Sequence, residues 1–445
     1  MSKYQASKSG SLIIFTIIFL TGFTFLVYEV SWNRMLSLVL GATVSASTIV
    51  LATFMAGFSL GAYFFGRAIN QSHKPKKLLA GLLTGIGFAG LINYYILKTF
   101  LPFLYPVFRD REFSILATEL IVYGISIILL LFQTFLVGGM LPIVGKIIIR
   151  RKESISSGIG RIYALDTLGS AIGGLLAGFV LLGNLGQQNT VLLAVGINLL
   201  IGIYLYLSKP NRYTEITKDS AEAIETLNKS KTKFKEVNET LLNRKIALPT
   251  TFFFGFSIMA LQVIWMRMYK IYLTNTSYTF ALISSLVIIG FFFGSWLFSK
   301  YSSRIKNHGI TMLHSILLLS FLTVTGLIIL INLPEFIMFP FESLLSSPFI
   351  KLIIMPMLAA LVVVFPPAVI SGFAFPLACR MLTNNVDDVS KGVGTALTLN
   401  ALGSAIGPLL AGFVLIPLLG SGVSVILILC IEFFLSVSMF SIKIV

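Results

Sequence analysis

Leu168-Gly169-Ser170-Ala171-Ile172-Gly173-Gly174-Leu175-Leu176-Ala177-Gly178-Phe179-Val180-Leu181 returns as Leu402-Gly403-Ser404-Ala405-Ile406-Gly407-Pro408-Leu409-Leu410-Ala411-Gly412-Phe413-Val414-Leu415. The copies stand 234 positions apart and differ only at Gly174 against Pro408. At the same offset Gly138 pairs with Gly372 and Pro142 with Pro376. One position less pairs Gly57 and Gly61 with Gly290 and Gly294. Recurrent Gly/Ala/Leu of low complexity does not keep one offset in one order, so the chain is a duplication. A weaker copy joins it. Tyr28-Glu29-Val30-Ser31-Trp32-Asn33-Arg34-Met35 returns as Leu261-Gln262-Val263-Ile264-Trp265-Met266-Arg267-Met268, with Trp and Arg kept and Glu replaced by Gln.

Composition says where this duplication lives. Of 445 residues, 56% are hydrophobic and 11% charged, against about 25% charged in soluble domains. The charges cluster, and apolar runs of roughly 20 residues, enough to span a bilayer, lie between them. This pattern is helical; a β-barrel alternates over short segments instead. Twelve spans are expected, near 11–38, 44–68, 78–107, 113–149, 156–182, 188–208, 248–272, 277–300, 309–333, 349–382, 391–417 and 421–442. The first is expected to be a true span and not a cleaved signal, because it is long and its polar motif recurs downstream.

Each half holds six spans. Six is even, so both halves insert the same way up, and the repeat axis lies along the membrane normal. The division expected is 1–208 for the first half, 209–245 for a charged linker and 246–445 for the second half. With the N-terminus inside, only Arg34, Lys98, Arg109, Arg111, Arg267, Lys270 and Lys351 of the 33 basic residues fall outside. That bias places both termini in the cytoplasm of a multi-pass plasma-membrane protein. It also accounts for the net charge of +16 through basic loops beside anionic lipid, with no nucleic-acid partner. In the linker, Ile224, Leu227, Phe234, Val237 and Leu241 recur at helical spacing, as in an amphipathic helix on the inner membrane face; a loose charged loop is the alternative.

Several features bear on packing. Gly57/Gly61, Gly169/Gly173, Gly174/Gly178, Gly290/Gly294 and Gly403/Gly407 let helix backbones approach closely. Phe365-Pro366-Pro367 falls in the middle of the tenth span and must kink or break it, as a gate or a static bend. The matching positions of the first half are Phe132 and Gln133, so that break is expected in one half only. Pro142 and Pro376 are further gate or kink candidates.

Of the 17 acidic residues, Glu29, Glu119, Asp166 and Glu432 lie at membrane depth, where an ionisable group is costly and therefore a functional candidate. Asp166 is about ten residues into its span, some 15 Å deep at 1.5 Å per residue. Its repeat mate is Asn400, and the mate of Glu29 is Gln262. Both acids of the first half thus face amides in the second. An acid titrates and an amide does not, so one half can carry a proton or cation while the other supplies neutral hydrogen bonds. Trp32, Arg34, Trp265 and Arg267 read either as interfacial anchors or as cavity wall. Glu119 reads as an outer-end residue, and Glu432 has no matching acid. Cys379 and Cys430 suggest neither disulfide nor metal, and His73, His308 and His314 form no ligand pattern. No nucleotide loop or nucleophile–base pair is visible, so no cofactor, metal or catalytic residue is called for.

The chain resembles the membrane domain of the fused major facilitator/spermidine synthase family. The residues that carry the resemblance are Glu29-Val30-Ser31-Trp32-Asn33-Arg34, Gly57 and Gly61, and Arg161-Ile162-Tyr163-Ala164-Leu165-Asp166-Thr167-Leu168-Gly169 running into Gly178-Phe179-Val180-Leu181. The resemblance implies an all-α, major facilitator-like fold of 12 transmembrane helices in two parallel six-helix repeats. It implies that the first, fourth, seventh and tenth spans line a central cavity, with the second, fifth, eighth and eleventh beside them. Fused members continue into an aminopropyltransferase domain; this sequence ends at Val445, so synthase activity is not expected. The loop Gly66–Lys74 lacks the Asp and second Gly of the usual major facilitator loop, which sets the chain apart from the ordinary transporter families. The function expected is secondary transport of a small cationic or amine-type solute, polyamine-like by resemblance, with proton coupling. The alternative is a membrane subunit for a separate, soluble synthase-like partner docking on 209–245.

Overall fold

The structure is a computed structural model. It describes residues 2–40, 44–71, 74–100, 103, 115–148, 155–208, 233–272, 277–333, 335, 348–383 and 389–444. His73, Arg109, Arg111 and residues 209–232 of the expected linker lie outside the described residues, as do the side chains of Glu119, Phe234, Val237 and Leu241.

The first half contains α1 (Ser2–Leu40), α2 (Val44–Gln71), α3 (Pro75–Tyr95), α4 (Ile115–Gly138), α5 (Met140–Ile148), α6 (Ile155–Leu176) and α7 (Gly186–Leu207). The second contains α8 (Lys233–Tyr272), α9 (Ser277–Tyr301), α10 (His308–Ile331), α11 (Pro348–Val363), α12 (Phe365–Leu382), α13 (Val389–Leu410) and α14 (Ile416–Ile444). Among the described residues, eleven helical segments are long and apolar enough to cross a membrane, and the last, Val389–Ser438, is 50 residues long and holds two passes. Gly420 divides it with φ 74° and ψ 170°. Lipid-length helices follow from the backbone, whose polar groups must pair internally where no water reaches them.

The duplication is visible in local geometry. Ala177-Gly178-Phe179-Val180-Leu181 and Ala411-Gly412-Phe413-Val414-Leu415 are both π turns. Gly186 and Gly420, again mates, both adopt φ 74°, a left-handed conformation that glycine takes without strain. Packing repeats as well: α1 lies on α6 as α8 lies on α13, α2 on α4 as α9 on α12, and α3 on α7 as α10 on α14. The halves meet through two equivalent pairs, α2 with α13 and α6 with α9. Outward faces carry Leu60, Phe64, Phe88, Leu200, Phe321 and Phe434, all exposed, as a lipid-facing surface demands.

Three expectations change. The span 113–149 is two helices broken at Gly139, so the first half has its own interruption. It lies at a different level from that of the second half, whose break at Val364 precedes Pro366 and Pro367 at the first positions of α12. Those prolines remove two backbone donors where the helix restarts and has least use for them. Pro142 falls in the first turn of α5, and Pro376 lies inside α12. Finally, residues 233–245 are not a separate surface helix. They run unbroken into the seventh pass as the start of α8, past Pro249.

Candidate functional site

Where α1 crosses α6, a Cβ on Gly22 would collide with the Asp166 backbone carbonyl. The mate crossing, α8 over α13, brings Gly255 against the Asn400 carbonyl in the same way. Glycine at both points lets the backbones touch, and the touching point sets Asp166 and Asn400 in equivalent places on the two halves. Ser170 fixes the first crossing by donating from Oγ to the Gly22 carbonyl at 3.1 Å.

Between the halves lies a cavity of about 100 Å³. Glu29, Asp166, Gln262 and Asn400 all line it. Further polar lining comes from Thr21, Tyr163, Thr167, Ser170, Ser284 and Ser404, and the rest is apolar, including Phe25, Phe58, Phe291 and Met259. Its walls belong to α1, α2, α4–α6, α8, α9 and α13. The tenth pass, expected among them, contributes no lining residue among the described ones. Its ring Phe375 instead packs on Tyr163 at 4.4 Å between centroids.

The acids and the amides are held differently. Gln262 donates from Nε2 to Ser284 Oγ at 2.9 Å, and Asn400 donates from Nδ2 to the Thr251 carbonyl at 3.3 Å. Neither carboxyl has a hydrogen bond or a charged side chain acting on it among the described residues; burial alone bears on both. Among the described residues, no Lys, Arg or His lines the cavity. Its chemistry is therefore two carboxyl groups on one side, fixed neutral amides on the other and aromatic walls between.

The remaining candidates fall elsewhere. Trp32 is 0% exposed and Trp265 3% exposed, both buried in the protein, and neither lines the cavity. The Trp32 indole stacks on Tyr28 at 5.9 Å and donates from Nε1 to Gln133 Oε1 at 3.0 Å. That oxygen also accepts from Asn93 Nδ2 at 3.0 Å. A buried indole must place its N–H somewhere, and here an amide takes it. Arg34 is half-buried and Arg267 exposed, neither on the cavity. Glu432 is buried on α14, away from the cavity, and accepts from Ser320 Oγ at 3.0 Å. Gln133, Asn93, Thr21 and Ser284 were not singled out by sequence reasoning. Gln133 and Asn93 were visible as amides inside apolar spans, whereas Thr and Ser in such spans also serve helix packing and carry no separate signal.

The halves touch at both ends of the cavity. On the face that carries the N-terminus, Ser299 Oγ donates to the Ser157 carbonyl at 3.1 Å, and Cβ atoms on Gly66 and Gly394 would lie 3.0 and 2.9 Å from each other's Cα. Midway, Ser59 Oγ donates to the Thr398 carbonyl at 2.8 Å. On the opposite face Gly174 packs on Ser285 and Gly412 on Thr48.

FucP, a major facilitator superfamily transporter in its outward conformation, superposes with a TM-score of 0.53 at 14% identity, covering 96% of this chain and 99% of its own. The human organic anion transporter MFSD10 superposes with a TM-score of 0.57 at 14% identity, covering 95% and 99%. Two curated relatives are both named polyamine aminopropyltransferase 2. The one from Aquifex aeolicus is 27% identical over 197 residues, 44% of this chain and 36% of its own length. The one from Streptomyces coelicolor is 23% identical over 199 residues, 44% and 34%. The chain thus spans about a third of the length of these relatives. The pattern of the Major Facilitator Superfamily matches residues 12–369. Its match runs through the departing loop Gly66–Lys74, so the whole helical pattern decides membership and that loop does not. The chain therefore belongs to the Major Facilitator Superfamily.

Proposed function

We propose that the protein is a secondary transporter of a small organic cation of the amine type, held in the central cavity by Glu29 and Asp166. The observation that carries this reading is the pairing of two carboxyl groups that no described side chain neutralises with a lining that contains no basic residue among the described ones. A protonated amine supplies the missing positive charge and hydrogen-bond donors. Gln262 and Asn400 face it as fixed neutral groups, and Phe25, Phe58 and Phe291 suit an alkyl chain or, through their ring faces, an ammonium group. One solved neighbour is named a fucose:proton symporter and another an organic anion transporter, so the fold accommodates diverse cargo. The charge of this cavity points to the opposite sign from the anion carrier. A polyamine is the cargo that the aminopropyltransferase relatives suggest.

Proton coupling fits the same residues. A carboxyl that releases its proton when the amine arrives, and regains it when the amine leaves, exchanges one cation for the other. The amides of the second half cannot do this and act as the unchanging side of the site. The test is uptake into proteoliposomes across a pH gradient. Asp166→Asn is expected to abolish the pH dependence and lower uptake at least tenfold; unchanged pH dependence overturns the coupling. The alternative of a scaffold for a separate synthase-like enzyme leans on 209–245, of which 209–232 lie outside the described residues.

A further inference from the structure

The second half holds an acid that the cavity does not use. Glu432 on α14 is 2% exposed, with Oε2 3.0 Å from Ser320 Oγ on α10. Ser257 on α8 lies against the same carboxyl. Ser257 and Glu432 are close enough to act on each other, yet among the described residues neither Glu432 Oε1 nor Ser257 Oγ, both buried, has a partner in good hydrogen-bond geometry. The Ser320 hydroxyl has one proton and two acceptors, Oε2 and the Ile316 carbonyl at 3.2 Å. When it donates to the carbonyl, its free lone pair turns toward the carboxylate.

The first half is an internal control. Glu432 stands where that half has Asn198, and Ser257 where it has Thr24. There the amide is used at both ends. Thr24 Oγ1 donates to Asn198 Oδ1 at 3.4 Å, and Asn198 Nδ2 donates to the Ala194 carbonyl at 3.0 Å and to the Tyr28 hydroxyl at 3.5 Å. Tyr28 packs its ring on Gly90; the mates of those two residues are Leu261 and Thr323, and Ser320 replaces Gly87. The second half has therefore exchanged the amide for a carboxyl and the aromatic Tyr28 for Leu261, keeps a hydroxyl at Ser257 and gains one at Ser320, so that three helices bring a carboxyl and two hydroxyls together. Burying a carboxylate with an orphaned oxygen is expensive unless a cation or a proton neutralises it. No charged side chain acts on this one among the described residues. All-oxygen donors select a hard ion, and a single carboxylate charge balances a monovalent one.

We propose that Glu432, Ser257 and Ser320 form a second site, outside the central cavity, that binds a small alkali cation of the Na⁺ or Li⁺ type. Ser257 is two residues from Met259 and five from Gln262, both in the cavity wall. Occupancy at Glu432 thus bears on α8 from behind the solute site.

The test is thermal melting of the purified full chain in nanodiscs at pH 8, with NaCl or LiCl exchanged for choline chloride at constant ionic strength. Direct binding of radioactive Na⁺ by scintillation proximity accompanies it. The expected result is a sodium-specific rise in Tm of several degrees, lost in Glu432→Gln and kept in Asp166→Asn. Ser257→Ala and Ser320→Ala, which leave the carboxyl in place, are expected to raise the half-maximal Na⁺ concentration at least fivefold. Absence of a sodium-specific rise in the wild type overturns the proposal. So does a rise that persists in Glu432→Gln, one lost only in Asp166→Asn, or one reproduced by acidification alone without sodium, which marks a proton site.

Discussion

At the residue scale, the two halves share positions and divide chemistry. Asp166 and Asn400 occupy equivalent helix crossings, Glu29 and Gln262 equivalent turns of α1 and α8. In each pair the first half has the titratable group. The crossings themselves are testable. Gly22→Val places a branched side chain against the Asp166 carbonyl, and overpacking of this kind costs about 1–3 kcal/mol. A lower Tm and reduced uptake are expected from Gly22→Val, measured by melting and by transport. Trp32→Phe keeps the ring but removes the donor to Gln133, a loss of about 0.5–1.5 kcal/mol. Its expected signature is a modest fall in Tm with solute affinity unchanged, since Trp32 does not line the cavity.

Sequence made part of this site legible for a physical reason. In apolar spans a carboxyl or amide is costly, so Glu29, Asp166, Gln262 and Asn400 stood out, and the repeat tied them in pairs. Depth along a helix is also readable at 1.5 Å per residue. Rotation about the helix axis is not. That is why Trp32 and Trp265 read as anchors or wall yet turn into the protein core, and why Thr21 and Ser284 went unnoticed. The mate of Glu432 is an amide, Asn198, so a search for a matching acid passed over it.

At the element scale, the fourth and tenth passes are the places where the repeat is broken. Gly139 interrupts one and Val364 the other, at levels that do not correspond. The proline break was legible because Pro lacks an N–H; the Gly139 break was not, since Gly in a membrane helix is common and serves packing as often as bending. Pro366→Ala with Pro367→Ala restores two backbone donors. The doubly substituted protein is expected to keep its Tm or raise it, and to lose at least half of its uptake rate if the break bends during transport. Full uptake identifies the break as a static bend. The α2–α13 contact makes a second prediction at this scale. Gly394→Leu drives a side chain into Gly66, so it is expected to hold that face apart and to slow transport more than fivefold while the protein still inserts. Cysteine accessibility at Ser59, which meets α13 at the Thr398 carbonyl, reads the separation.

At the scale of the whole molecule, the halves meet at both faces with the cavity between them. A cycle of alternating access has to open one set of contacts, Gly66 with Gly394 and Ser157 with Ser299, while keeping the other, Gly174 with Ser285 and Thr48 with Gly412. The small residues at these points make the contacts close and also shallow, so little interdigitation has to be undone. On the proposed reading, the charge division between halves gives such a cycle something to move: a cation that neutralises the first half and rests on the second.

The central claim is that Glu29 and Asp166 bind an organic cation for transport. It is tested most directly by uptake of radiolabelled spermidine, putrescine and a monoamine into proteoliposomes containing wild type, Glu29→Gln or Asp166→Asn. Saturable uptake of at least one amine by the wild type, reduced tenfold or more in either variant with both variants folded, is the predicted result. Uptake of no amine above protein-free vesicles, or uptake undiminished in both variants, contradicts the account.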